Sequence, residues 1–349
     1  MQFIKPGTTI DFVGKRKLGF SFSLALIIFS MVSLIIHQGP NYGIDFAGGT
    51  LVQVKFDKTA ITQDIRSGLD QMGIANSSVQ NFGKPENNEF LIRTSIPDMT
   101  NQGFTQAITQ ALENVTGSTP EIRRVEMVGP QVGKDLRKQA LLAMFYSLLF
   151  ITIYISGRFE MKWVLSGVTA GALMTAVYFL SIFNMSMPIL ITAALVVTLA
   201  LFWYLELKYA MGAIVALIHD VFITVGLFSI LDYEFSLSII AALLTIIGYS
   251  LNDTIIVFDR IRENNIQSRK LTLAEIINKS INETLSRTIL TSLTTLIVLF
   301  SLLFLGGEII HNFAFAMIAG VLVGTYSSIF VASPIVLLTD KKNRSTNKA

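Results

Sequence analysis

Apolar runs of about 18 residues or more recur along this chain, and they constrain its fold more than any single motif. Eight candidate spans fall at about 18–36, 139–156, 163–183, 187–204, 210–231, 236–258, 288–305 and 313–338. At 1.5 Å per residue each covers roughly 27–39 Å, against a hydrocarbon core of about 30 Å. The expected class is an α-helical polytopic membrane protein. Composition agrees: 52% of the 349 residues are hydrophobic and 15% are charged, whereas a soluble domain carries about a quarter charged.

The same composition excludes several chemistries. There is no cysteine, so no disulfide framework and no thiolate metal site are expected. His37, His219 and His311 are scattered, which argues against structural zinc. No Gly-x4-Gly-Lys-Ser/Thr run occurs, so there is no recognisable P-loop. No cofactor and no nucleic-acid partner are expected. Energy would come from an ion gradient or from a partner.

Basic residues set the expected orientation. Lys5, Lys15, Arg16 and Lys17 precede the first span and place the N-terminus, residues 1–17, in the cytoplasm. Arg158, Lys162, Lys208, the stretch from Arg260 to Arg287, and Lys341, Lys342, Arg344 and Lys348 fall on the same side. The turns near 184–187, 232–235 and 306–312 contain no Lys or Arg. An even span count puts the tail, residues 339–349, in the cytoplasm as well. The first span is read as an uncleaved anchor, because no small-x-small site follows closely.

Residues 37–138 are mostly polar and lie between the first two spans. Strands fit 50–56, 77–82, 89–94 and 120–127, and helices fit 60–73 and 100–115. The order βαββαβ predicts a small α+β ferredoxin-like domain, on the extracytoplasmic side. It contains no catalytic constellation, and the chain is not expected to be an enzyme.

Few ionisable residues fall well inside the spans: His219, Asp220 and Asp253. An unpaired charge at that depth costs roughly 2.5 kcal/mol or more. Asp253 lies about four residues from the cytoplasmic end of its span, roughly 6 Å. Arg287 stands at the cytoplasmic start of the seventh span, at similar depth. Pairing the two would lower the cost of each. Such a pair reads either as a proton-coupled switch or as a permanent structural lock. His219 and Asp220 read equally as a relay or as an interhelical hydrogen bond. Asp259, Arg260, Arg262 and Glu263 read as a solvated face and topology anchor. Thr288, Thr291, Ser292 and Thr295 give one helix a polar stripe. Ala316, Gly320, Gly324, Ser328 and Ala332 give another a small-residue stripe for close packing.

Ordered motifs then carry a resemblance. They are Gly43-Ile44-Asp45-Phe46-Ala47-Gly48-Gly49-Thr50, Val128-Gly129-Pro130-Gln131-Val132-Gly133, and Ala216-Leu217-Ile218-His219-Asp220. The most specific run goes from Gly248, Tyr249, Asn252 and Asp253 to Asp259, Arg260 and Asn264. Arg287-Thr288 and Gly306-Gly307 follow. Together they resemble the SecF side of the SecD/SecF family of bacterial protein-export membrane subunits, relatives of the RND transporters. The resemblance implies an RND-type helix bundle that pairs with SecD beside the SecYEG channel, with YajC and YidC as further partners. It implies use of the proton gradient to assist movement and release of preproteins across the bacterial cytoplasmic membrane. It also implies that Asp253 is the proton-binding carboxylate, that Arg287 is its cationic partner, and that SecD supplies a further carboxylate.

One departure stands out. The family pattern has six spans, and this chain has eight. About 46 residues separate Arg158-Phe159-Glu160 from Glu206-Leu207-Lys208. Within the bundle at 139–338 they add a hairpin at about 163–204, expected to pack at the periphery. An RND-like pump or lipid transporter is the alternative reading, though a single external domain of about 100 residues is small for enclosing a substrate.

Overall fold

A computed structural model of the chain describes residues 9–340 apart from 75–76, 84, 95–101, 183–185 and 269. The expectations for Lys5, for the tail after Asp340, for the tip of the added hairpin and for the first residues of the helix near 100 lie outside the described residues.

Helix α1 (Arg16–Ile36) is followed by a short helix, α2 (Ile44–Ala47), inside the first motif. The polar segment then folds as β1 (Gly49–Phe56), α3 (Thr62–Gln71), β2 (Ser78–Phe82), β3 (Glu89–Thr94), α4 (Gln102–Thr116) and β4 (Pro120–Val128). The sheet is antiparallel in the order β2-β3-β1-β4, the ferredoxin-like arrangement. Alternation decides which face is covered. Val52, Val54 and Phe56 of β1 and Phe90 and Ile92 of β3 point to α3 and α4, where Ile65, Leu69, Ile108 and Leu112 close the core. Gln53, Lys55, Leu91 and Arg93 take the other face.

The bundle comprises α5 (Pro130–Glu160), α6 (Trp163–Ser181), α7 (Met187–Tyr204), α8 (Lys208–Ile230), α9 (Leu237–Gln267), α10 (Leu273–Leu305) and α11 (Glu308–Ser327). A π-helical turn, Ser328–Ala332, joins α11 to α12 (Ser333–Thr339) within one span. Eight segments are long and apolar enough to cross a membrane. They differ in burial. More than half of the apolar window is buried in α8, α9 and the last span, against 22% in α1, α6 and α7 and 17% in α10.

Two helices are longer than hydropathy predicts. α9 continues to Gln267 and α10 begins at Leu273, so neither Asp253 nor Arg287 lies near a helix end. The apolar run marks where the bilayer stops, and the helices continue past it as an amphipathic hairpin. Thr272 and Glu275 start α10 with a capping box. Across the hairpin Asn264 donates to Ser280 (3.0 Å) and Glu283 (2.8 Å).

The added hairpin sits outside the core. α6 packs on α5 and α7, and α7 on α5 and α8, while α9 and α10 pack directly on each other. Its two ends return to one place. The Glu160 carboxylate accepts from the Tyr209 N–H at the start of α8 (2.9 Å), and Lys162 donates to the Leu205 carbonyl after α7 (2.8 Å).

Candidate functional site

Asp253 occupies the middle of α9 and is 1% exposed. It makes no hydrogen bond, and its Oδ2 is buried without a partner. Arg287 is near enough to attract it electrostatically, yet no ion pair joins them within 4 Å. Helix register explains the gap. α9 and α10 are antiparallel, pinned by Tyr249 to Thr295 (3.3 Å) and by Asn264 to Ser280 (3.0 Å). Asp253 is therefore level with about Thr291, and Arg287 lies about one turn, ~6 Å, further toward the Gln267 end. Arg287 is also exposed, whereas Thr288 beside it is buried with an unpartnered Oγ1. The two charges thus occupy neighbouring but unlocked positions.

His219 and Asp220 on α8 form a different arrangement, in which every polar atom is used. Asp220 is fully buried. Its Oδ2 accepts from Ser250 of α9 (2.5 Å) and Ser327 of α11 (2.8 Å). Its Oδ1 lies 2.8 Å from His219 Nδ1. His219 Nε2 meets Ser23 of α1 (3.1 Å), Ser23 meets Tyr326 (3.1 Å), and Tyr326 donates to the Gly19 carbonyl (2.6 Å). The contacts to His219, Ser250 and Ser327 offset the cost of burying the Asp220 carboxylate at this depth. The network ties α1, α8, α9 and α11 together. Ser250 stands one turn from Asp253 on α9, so the two carboxylates approach the same helix at adjacent levels.

Ser23, Ser250, Ser327 and Tyr326 were not singled out by sequence. Small hydroxyl residues in apolar helices have no distinctive spacing, although Ser250 at i−3 from Asp253 was a usable signal. The small-residue stripe does face α9: a Cβ at Gly324 would lie 2.8 Å from that of Ser250, and one at Gly320 would press on Ile246. Of the polar stripe, Ser292 meets Thr325 (2.7 Å), while Thr291 bonds back to its own helix.

The other motif residues build the frame. Gly43 donates to the Phe235 carbonyl (3.0 Å), and Asp45 accepts from the Leu237 N–H (2.9 Å) at the first turn of α9. The first motif thereby fastens the helix that carries Asp253. Gly48 (φ +74°) and Gly49 (φ +119°) adopt backbone conformations that suit glycine. A Cβ on Gly48 would also meet Pro130 Cα at 2.8 Å. Gly248 and Asn252 both lie on the open side of α9.

Asp259 and Arg260 do more than stay solvated. Arg158 of α5 donates to Asp259 (2.6 Å), Arg262 donates to the Arg158 carbonyl (3.1 Å), and Arg260 pairs with Glu283 of α10 (3.5 Å). These half-exposed contacts brace three helix ends, where net pair energies are small, about 0–1 kcal/mol. Among the described residues, no group of three or more His, Asp or Glu side chains could hold a metal ion.

Comparison with known proteins adds a second line of observation. The family model described as protein export membrane protein SecD/SecF, C-terminal, matches residues 107–197 and 180–342, and the SecD/SecF GG motif model matches residues 33–60. The protein translocase subunit SecF of Magnetococcus marinus is 44% identical over 99% of this chain and 96% of its own length. That of Calditerrivibrio nitroreducens is 41% identical, covering 97% of this chain and 96% of the relative. A crystal structure of SecDF from Thermus thermophilus, described as a translocon-associated membrane protein, superposes with a TM-score of 0.70 at 31% identity. The match covers 97% of this chain and 39% of that longer one.

Proposed function

Because the chain belongs to the SecD/SecF family of protein-export membrane proteins, we propose that it is one half of a proton-driven export motor. It works with SecD beside SecYEG, and with YajC and YidC in the larger assembly. Its place is the bacterial cytoplasmic membrane, with both termini in the cytoplasm and the sheet domain outside. There it assists late movement and release of preproteins.

The observation that carries this reading is Asp253: a buried carboxylate at membrane depth with an unpartnered oxygen and an arginine one turn away. A carboxylate so placed must either hold a proton or gain a cation. Protonated, it is neutral and leaves Arg287 on the open face of α10. Deprotonated, it draws Arg287 inward, which requires α10 or its side chains to shift. Two arrangements of one helix pair, selected by one proton, form the bistable element that coupling needs.

The open face of α9 and α10 supports a partner. Thr245, Gly248 and Asn252 on α9, and Arg287 and Thr294 on α10, are exposed alongside Leu290, Leu293 and Ile297. Polar groups facing lipid at this depth are costly, and a SecD bundle would cover them and bring its own carboxylate to Arg287.

Pulse-chase export in cells depleted of their own copy tests the reading. Rescue with Asp253→Asn should leave SecD co-purification intact and slow export of a secreted protein at least about tenfold. Export at the native rate with the Asn variant would remove Asp253 from the mechanism.

A further inference from the structure

Positive charge on the sheet-domain side of the bundle is concentrated in one place. The short turns at 232–235 and 306–312 on that side carry no Lys or Arg. Lys134, Arg137 and Lys138, in contrast, stand at i, i+3 and i+4 on α5, so they share a helix face just above the apolar run. That face opens into a cleft of about 540 Å3, closed on the other side by Ser186, Met187 and Pro188 at the start of α7 and floored by Leu141. The wall opposite the basic residues therefore belongs to the added hairpin.

None of the three cations has an ion-pair partner among the described residues. Arg137 lies over the Tyr42 ring at 4.2 Å, a contact that leaves its guanidinium N–H groups available. Asp135, the neighbouring acid on α5, accepts from Gln131 (3.3 Å). The start of α7 adds its positive dipole end, since Ser186 provides no side-chain cap.

Two membrane-spanning helices form the walls, so the depth of the cleft matters. Lys134 to Lys138 lie within about one to two turns of the apolar segment, at headgroup level, and Leu141, Met187 and Pro188 lie where acyl chains begin. An acidic protein segment would satisfy the cations but leave this apolar floor unmatched. A ligand with a phosphate above and hydrocarbon below satisfies both.

We propose that the cleft between α5 and α7 binds the headgroup of an anionic phospholipid in the leaflet facing the sheet domain, with Lys134, Arg137 and Lys138 holding its phosphate. Bound there, the lipid bridges the hairpin to α5 and makes the bundle's outer edge sensitive to membrane charge.

Native mass spectrometry of the full chain, in micelles with equimolar phosphatidylglycerol and phosphatidylcholine, reads this directly. The native chain should retain phosphatidylglycerol several-fold over phosphatidylcholine. Lys134→Gln with Lys138→Gln should abolish the preference, and Lys134→Arg with Lys138→Arg should keep it. Arg123→Gln with Arg124→Gln, which removes the same charge from β4 on the same side, should leave it unchanged. Equal retention of the two lipids by the native chain, as an acidic protein occupant predicts, would overturn the proposal. So would a preference that survives the double Gln variant.

Discussion

Asp220 and Asp253 are both buried carboxylates in one bundle, and their surroundings separate their roles. Asp220 accepts from Ser250 and Ser327 and lies 2.8 Å from His219 Nδ1; Asp253 has no bonded partner. Asp220→Ala would strand the Ser250 hydroxyl and His219 Nδ1, at about 1–3 kcal/mol for each stranded group, while Ser327 keeps the Gly324 carbonyl (3.2 Å). Thermal melting of the purified chain should fall clearly for Asp220→Ala, and little for Asp253→Asn. Outside the membrane, Asp57 at the end of β1 accepts from Ser118 Oγ and from the Thr119 N–H (3.0 Å). The Ser118 hydrogen bond, foremost, holds its carboxyl below the ordinary 3.8. A depressed carboxyl stabilises the fold above its unfolded value and loses that contribution as pH falls through the folded one. Amide protection at Thr119, corrected for intrinsic exchange, should therefore hold at pH 5 and drop below about pH 3.8. Asp57→Asn should show low protection at both. The environments of Asp220 and Asp57 were not legible in the sequence, because each depends on hydroxyls brought from distant segments.

Helices were legible as spans but not as lengths. Hydropathy located all eight, since a bilayer demands an apolar run of near-constant length. It could not show α9 continuing to Gln267, because charged residues beyond the membrane are equally compatible with helix or turn. The hairpin of α6 and α7 shows what interaction across chain distance decides. Glu160 to Tyr209 N–H (2.9 Å) and the stacking of Phe159 on Tyr209 (5.3 Å) join α5 to α8 directly, as though the intervening helices were absent. Replacing residues 163–205 by a short Gly-Ser linker should therefore leave a membrane-inserted chain that still co-purifies with SecD. Loss of the chain from membranes would show instead that the hairpin is needed for the core to form.

Across the whole molecule, the sheet domain is fastened to the bundle at the Leu237 end of α9. Arg93 of β3 pairs with Glu234, Tyr42 bridges to Phe235, and Asp45 accepts from the Leu237 N–H. The domain and the helix bearing Asp253 therefore share one joint, a route by which a shift in α9 can reach the sheet. Glu234→Gln should weaken that joint: amide exchange in residues 42–49 should rise several-fold, while exchange in the core of the sheet stays unchanged.

The sequence alone determined the class, the number of spans, the α+β order of the polar segment and the family, because hydrophobic length, strand alternation and ordered motifs are local or linear properties. Packing alone placed Asp253 and Arg287 one turn apart and unpaired, joined His219 and Asp220 to the hydroxyls of α1, α9 and α11, and set α7 against three basic residues of α5. Those outcomes depend on helix register and on which faces meet, set by packing among segments up to hundreds of residues apart.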